Sequence, residues 1–206
     1  MNFDPQIPEW GKEFTNNSKE ELLKYHNWIK NTGIKSGLIS PKSDQFIWDE
    51  FVIHSLYFYK IIFDLNLLNI DIYDLGTGGG IPGIPVGIVS NNTVNLVDIK
   101  QKRIFELERF LATHKHKNIK ALKADAEIII QKQENSIFLM RCYMPKNDLI
   151  KKLKKYMLNN KKNTFIVSSK ANNADINVEA FHVKQEKFLI NKDCLLYTSP
   201  SPRDPE

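Results

Sequence analysis

Asp74-Leu75-Gly76-Thr77-Gly78-Gly79-Gly80-Ile81-Pro82-Gly83-Ile84-Pro85 is the most informative stretch of this chain. The residues just before it, Ile72-Tyr73-Asp74-Leu75, form a short apolar run that reads as a buried strand. The residues just after it predict a helix from Ile84 to Val89, with Pro85 in the first turn, where its missing N–H is harmless. Between them, glycines let the backbone turn sharply and approach a ligand where a Cβ would collide. The following helix start offers partial positive charge. The stretch therefore reads as a nucleotide-cofactor loop between strand and helix. Gly78, Gly80 and Gly83, with Asp98 downstream, also match the dinucleotide fingerprint. A glycine-rich turn without a ligand is a third reading of the same spacing.

Working outward, the periodicity alternates. Strands are predicted at Thr93 to Val97, Ile119 to Leu122, Ser136 to Met140 and Thr164 to Val167, with Phe181 to Leu189 a further candidate. Between them come helices from Gln101 to His114, Ala126 to Gln131 and Asp148 to Leu158. Strands alternating with helices predict a mostly parallel sheet with helices on both faces, an α/β Rossmann-like architecture. Upstream, residues 1–70 read as an N-terminal helical extension. One amphipathic helix runs from Ser18, a candidate N-cap, to Asn31, and a crowded apolar region from Ile47 to Leu68 holds two helices or one bent one. The sheet domain is expected over 71–194.

The chain has 206 residues, 42% hydrophobic and 26% charged, which suits one globular core and excludes wholesale disorder. Its formal charge of +5 is compatible with a polyanionic partner such as RNA, and equally with a composition rich in Lys, Asn and Ile. Cys142 and Cys194 are far apart, which excludes a disulfide scaffold and leaves no metal-ligand spacing. Without a signal pattern or a spanning apolar stretch, a soluble cytoplasmic protein, and a monomer, is the expectation.

The glycine run and its continuation Ile81-Pro82-Gly83-Ile84-Pro85 resemble the signature of the bacterial 16S ribosomal RNA guanine-N7 methyltransferases, also called the glucose-inhibited division protein B family. Gly37-Leu38-Ile39-Ser40-Pro41 and Ile47-Trp48 are similar to an upstream family segment, and Asp98, Lys102-Arg103 and Phe105-Glu106-Leu107 to a downstream one. The resemblance extends from about Leu22 to Val178. It implies S-adenosylmethionine as cofactor, held by Asp74, Gly76, Thr77, Gly78, Gly80, Ile81, Asp98, Ala126, Glu127 and Arg141. Asp98 would accept from the ribose hydroxyls, and Ala126 and Glu127 would bracket the adenine. Arg141 would be the catalytic residue facing cofactor and base, and Lys170 and Tyr143 would meet the substrate. The implied reaction is methylation of guanine N7 in 16S ribosomal RNA of the small ribosomal subunit. N7 carries a lone pair and no proton, so neither a general base nor a metal is required.

Basic clusters at Lys151-Lys152-Leu153-Lys154-Lys155, Lys161-Lys162 and Lys115, Lys117, Lys120, Lys123 are candidate phosphate contacts, or solvated helix faces. The resemblance departs in one place. Where the family carries Arg-His-x-x-Asp-Ser, this chain has Glu50-Phe51-Val52-Ile53-His54-Ser55. Gly37, Met140 and Cys142 also replace family residues. These departures keep open a cofactor- and RNA-binding member with impaired catalysis, while the glycine fingerprint keeps open a nicotinamide-dependent oxidoreductase. Finally, residues 195–206 are Ser/Pro-rich at their end and resemble translated adapter sequence. They are expected to be a non-native tail, leaving six strands and the last one missing.

Overall fold

The structure, a computed structural model, describes residues 3–141, 148, 151–152, 155–156, 162–170, 186–189 and 193–197. The chain opens with helices α1 (Glu9–Thr15) and α2 (Lys19–Trp28), the latter running on into a wide π-helical turn, Ile29–Gly33. Ser18 takes the N-cap position of α2, but its side chain makes no capping bond. Next, α3 (Asp44–Ile47), a second π-helical turn (Trp48–Ile53) and α4 (His54–Asp64) follow without a break in helical backbone angles. The crowded apolar region is thus one helical run with a wide turn inside it.

The sheet elements then alternate: β1 (Ile72–Leu75), α5 (Gly83–Val89), β2 (Val94–Asp98), α6 (Gln101–His114), β3 (Ile119–Lys123), α7 (Ala126–Lys132), β4 (Ile137–Arg141), β5 (Thr164–Lys170), β6 (Glu186–Leu189) and β7 (Asp193–Tyr197). They form a seven-stranded sheet in the order β3-β2-β1-β4-β5-β7-β6. From β3 to β5 all neighbours are parallel, while β7 lies antiparallel to both β5 and β6. Residues 148, 151–152 and 155–156 are helical, and the rest of the helix expected over Asp148 to Leu158 lies outside the described residues.

Strand alternation divides the core in two. Ile72, Leu96, Ile137, Leu139 and Ile166 share one cluster with α5, α6 and the N-terminal helices, including Leu22, Tyr25, Trp48 and Phe58. Tyr73, Leu75, Val97, Phe138, Met140, Phe165 and Val167 share the other with Ala126, Ile130 and Tyr156. The helices upstream of β1 are therefore packed into the core of the sheet.

The expectation of a missing last strand is overturned. In β7, Tyr197 stands opposite Val167 and Cys194 opposite Lys170 on one side, and Leu196 opposite Glu186 on the other. Cys194-Leu195-Leu196-Tyr197 has the residue types that suit a pleated sheet, and β5 otherwise ends the sheet as an open edge. The opposite expectation rested on the adapter-like character of 195–206, of which residues 198–206 lie outside the described residues.

Candidate active site at the carboxyl ends of the strands

The strand order reverses between β1 and β4, and ligands in open α/β sheets bind in the crevice at such a point. The chain leaves β1 there into Gly76, Gly78 and Gly80, all with positive φ (71°, 58° and 82°), and crosses a cis Ile81–Pro82 peptide into α5. A Cβ at Gly78 would meet nothing nearer than 3.9 Å, so this part of the backbone lies open to a ligand.

Asp74 braces the loop from within. One carboxylate oxygen, Oδ2, accepts from Thr77 Oγ1 at 2.6 Å and from the Gly83 N–H at 2.8 Å. The other, Oδ1, is buried without a hydrogen-bond partner. Burial dominates its titration and pushes the pKa from 3.8 up to about 7, against the lowering bonds from Thr77 and Gly83 and the charge of Arg141. In the unfolded chain the group loses its proton near 3.8, and in the native protein near 7. Between these values the native state binds more protons, so this group's contribution to stability is complete below the lower value and declines as pH rises through the upper one. Denaturant titrations from pH 4 to 8 are expected to show that decline, and Asp74→Asn is expected to flatten it. An unchanged profile in the variant would exclude Asp74 as its source.

The N-terminal helices hold the loop from outside. Tyr25, fully buried on α2, donates its hydroxyl to the Gly79 carbonyl at 3.0 Å. Burial raises the pKa of this phenol well above 10, which keeps it a donor. Its place on the apolar side of α2 marks Tyr25 only as a core residue, and the sequence carries no signal for its loop contact.

At the end of β2, Asp98 is 3% exposed and accepts from three donors: Gly78 N–H at 3.2 Å, Lys100 N–H at 2.9 Å and Arg103 Nη1 at 2.9 Å. Ile99 follows with 64% of its surface exposed, an apolar face beside a buried carboxylate. Ile99 is not among the candidate residues of the sequence, although a large apolar residue directly after a strand-end acid is a visible signal. After β3, Ala126 is buried, and Glu127 lies half exposed in an ion pair with Lys152, whose hydrogen bond lowers the Glu127 pKa. Asp125 caps this helix by accepting from Glu127 N–H at 2.8 Å.

Arg141 ends β4, one strand over from Asp74. Its Nε donates to His54 Nδ1 at 3.1 Å, its Nη2 lies 3.6 Å from Glu50 Oε2, and its guanidinium sits 5.3 Å from the centre of the Phe51 ring. His54 is buried, and burial, with the Arg141 charge as a smaller cause, lowers its pKa from 6.5 to about 3. Lys170 ends β5 on the same edge of the sheet, while Tyr143 lies outside the described residues. The structure thus gathers Gly76, Gly78, Asp98, Ala126, Glu127, Arg141 and Lys170 along one sheet edge. Thr77 and Ile81 are buried in the loop's own packing. Among the described residues no group of three His, Cys, Asp or Glu could hold a metal, and no helix is long and apolar enough to cross a membrane.

A sheet in which only β7 runs antiparallel, with an acidic glycine loop after β1 and an acid closing β2, defines a Rossmann-like methyltransferase fold. The dinucleotide-binding order ends instead at a sixth strand beside the fifth. The sequence model described as rRNA small subunit methyltransferase G, GidB, matches residues 18–194, and the chain belongs to this family. Among its relatives, the ribosomal RNA small subunit methyltransferase G of Karelsulcia muelleri (strain GWSS) is 39% identical over 85 residues, 41% of this chain and 38% of that protein. That of Bacteroides thetaiotaomicron is 30% identical over 150 residues, 72% of this chain and 71% of that protein. Against several other curated relatives the chain spans about half their length, for example 48% and 52%. A solved methyltransferase from Geobacter sulfurreducens has the same fold, with a TM-score of 0.60 at 12% identity, covering 88% of this chain and 89% of that one.

Proposed function

We propose that this protein methylates guanine N7 in 16S ribosomal RNA of the small ribosomal subunit, with S-adenosylmethionine as donor. The observation that carries the reading is the pairing of the open Gly78 backbone with the buried Asp98 carboxylate, in a chain of this family. The residues fit such a cofactor. Asp98 presents a carboxylate suited to a ribose diol, Ile99 an apolar face suited to adenine, and Ala126 and Glu127 close the same side. Gly76, Gly78 and Gly80 give backbone access, with Asp74, Thr77 and Ile81 fixing the loop's shape. When bound, the cofactor supplies an activated methyl on a sulfonium.

The chain's own task is positional. Guanine N7 has no proton to remove, so the site must hold the base in line for attack, with the reacting atoms at near-attack distance. Arg141 is the group placed to orient it. The methylated ring becomes cationic, so a bare arginine beside it would raise the barrier. Glu50, 3.6 Å from Nη2, offsets that charge. Lys170, Tyr143 and Lys123, opposite Asp98 at the end of β3, supply RNA contacts, and the protein acts as a cytoplasmic monomer.

The test is to incubate unmodified small subunits with protein and cofactor, then treat the RNA with borohydride and aniline, which cleave at N7-methylguanosine. A single new cleavage, lost in Arg141→Ala, is expected. Intact RNA where a family relative produces cleavage refutes the reading.

A further inference from the structure

Position 54 and its neighbours depart from the family pattern, and in the structure their side chains meet at one place. Among the described residues, Glu50, Phe51 and His54 contact Arg141 by ion pair, ring face and hydrogen bond. We propose that these three form a substitute cradle which positions Arg141 for its role in the cleft, so that the altered segment is a re-engineered support and not a lesion. The role assigned to Arg141 rests on the proposed function, but the cradle itself does not.

The hydrogen-bond chemistry fixes how the cradle is wired. Arginine Nε–H can only donate, so His54 Nδ1 must be the bare, accepting nitrogen. The ring proton then sits on Nε2, which lies 3.4 Å from Ser168 Oγ on β5 and donates to it. His54 thus ties α4 to β4 and β5 at once. A protonated ring would set two donors against each other. Phe51 offers its negative face to the guanidinium, and Glu50 balances the charge on Nη2. Arg141 Nη1 has no partner among the described residues, which leaves its two N–H donors for a ligand in the cleft.

Three variants test this in the full chain. His54→Phe keeps a ring but removes the acceptor. It is expected to lower kcat/KM on small subunits by roughly 10- to 100-fold, the size of one hydrogen bond to a charged group, with S-adenosylhomocysteine affinity unchanged. His54→Asn keeps an acceptor near the Nδ1 position and is expected to recover most of that loss. Glu50→Gln, at a half-exposed position, is expected to cost only about threefold. In an Arg141→Lys background, which keeps the charge but has no Nε–H for His54 to hold, His54→Phe is expected to have no further effect. Independent, multiplicative losses, or an Asn variant as poor as Phe, would overturn the proposal.

A second readout needs neither RNA nor turnover. Nitrogen-15 NMR at neutral pH should show His54 in the Nε2–H tautomer and a slowly exchanging Arg141 Nε–H that disappears in His54→Phe. An Nδ1–H or doubly protonated ring refutes the cradle even if methylation is confirmed. The expected spectrum with no methylation would leave the cradle standing and remove the proposed function.

Discussion

Gly83→Ala is expected to destabilise this protein severely, although it adds a single methyl. A Cβ at that position would lie 2.3 Å from Leu96 Cδ2, 2.7 Å from Asp74 Oδ2 and 3.0 Å from Asp74 Cβ. None of these neighbours has room to give. Leu96 is fully buried, and Asp74 is pinned by Thr77 and by the N–H of Gly83 itself. Any relief must push α5 away from β1 and stretch the bond that closes the loop. Overpacking of this kind costs about 3 kcal/mol, which for a domain of this size lowers Tm by roughly 6–12 °C. Gly78→Ala is the informative contrast. It meets no atom within 3.9 Å but has a φ of 58°, so it carries only left-handed strain, on the order of 1 kcal/mol. Thermal melts should place Gly83→Ala well below Gly78→Ala, while calorimetry with S-adenosylhomocysteine should show the Gly78 variant failing to bind although folded. Equal melting temperatures would mean that α5 is not wedged against Asp74 as described.

The second large effect is expected at Asp98. Asp98→Ala should weaken S-adenosylhomocysteine by at least about 100-fold, because a hydrogen bond to a charged group is worth roughly 1.5–3 kcal/mol and a ribose diol offers two. The carboxylate also organises the rim of the site, since it gathers the N–H groups of Gly78 and Lys100 and the Arg103 guanidinium. Asp98→Asn separates the two contributions. It retains an acceptor for the rim but loses the charge and one acceptor, so its melting temperature should stay nearer the wild type than that of Asp98→Ala while affinity remains poor. Binding within about threefold of wild type in both variants would remove Asp98 from the cofactor site.

Much of this was legible in the sequence because it depends on short-range chemistry. Ile72–Leu75 is a strand because Ile72, Tyr73 and Leu75, around Asp74, precede a glycine loop, and Asp98 stands where a second strand ends. What could not be read depends on pairings between distant segments. Tyr25 and Gly79 are 54 residues apart, and His54 and Arg141 are 87 apart. Periodicity reports which face of α2 or α4 is buried, but not which polar atom waits there. The departure at Glu50, Phe51 and His54 was visible as a difference, yet its meaning required seeing that all three changes point at one guanidinium. Asp74 was expected to serve the cofactor, whereas its observed bonds serve the loop. The last strand escapes the sequence because Leu195, Leu196 and Tyr197 run directly into an adapter-like tail, and their pairing partners lie in separate segments, β5 and β6.

The wide turn at Trp48–Ile53 carries more chain per revolution than an α-helical turn. Glu50 and Phe51 lie inside it, and His54 is the first residue beyond. Deleting one residue from this turn would let it tighten to ordinary helix and swing Glu50 and Phe51 by about 100° around the axis relative to His54. The arginine would keep its acceptor and lose its counter-charge and its aromatic floor together. In this segment, chain length is itself a setting of the cleft, and an insertion or deletion changes what point substitutions at 50, 51 or 54 can only change one at a time.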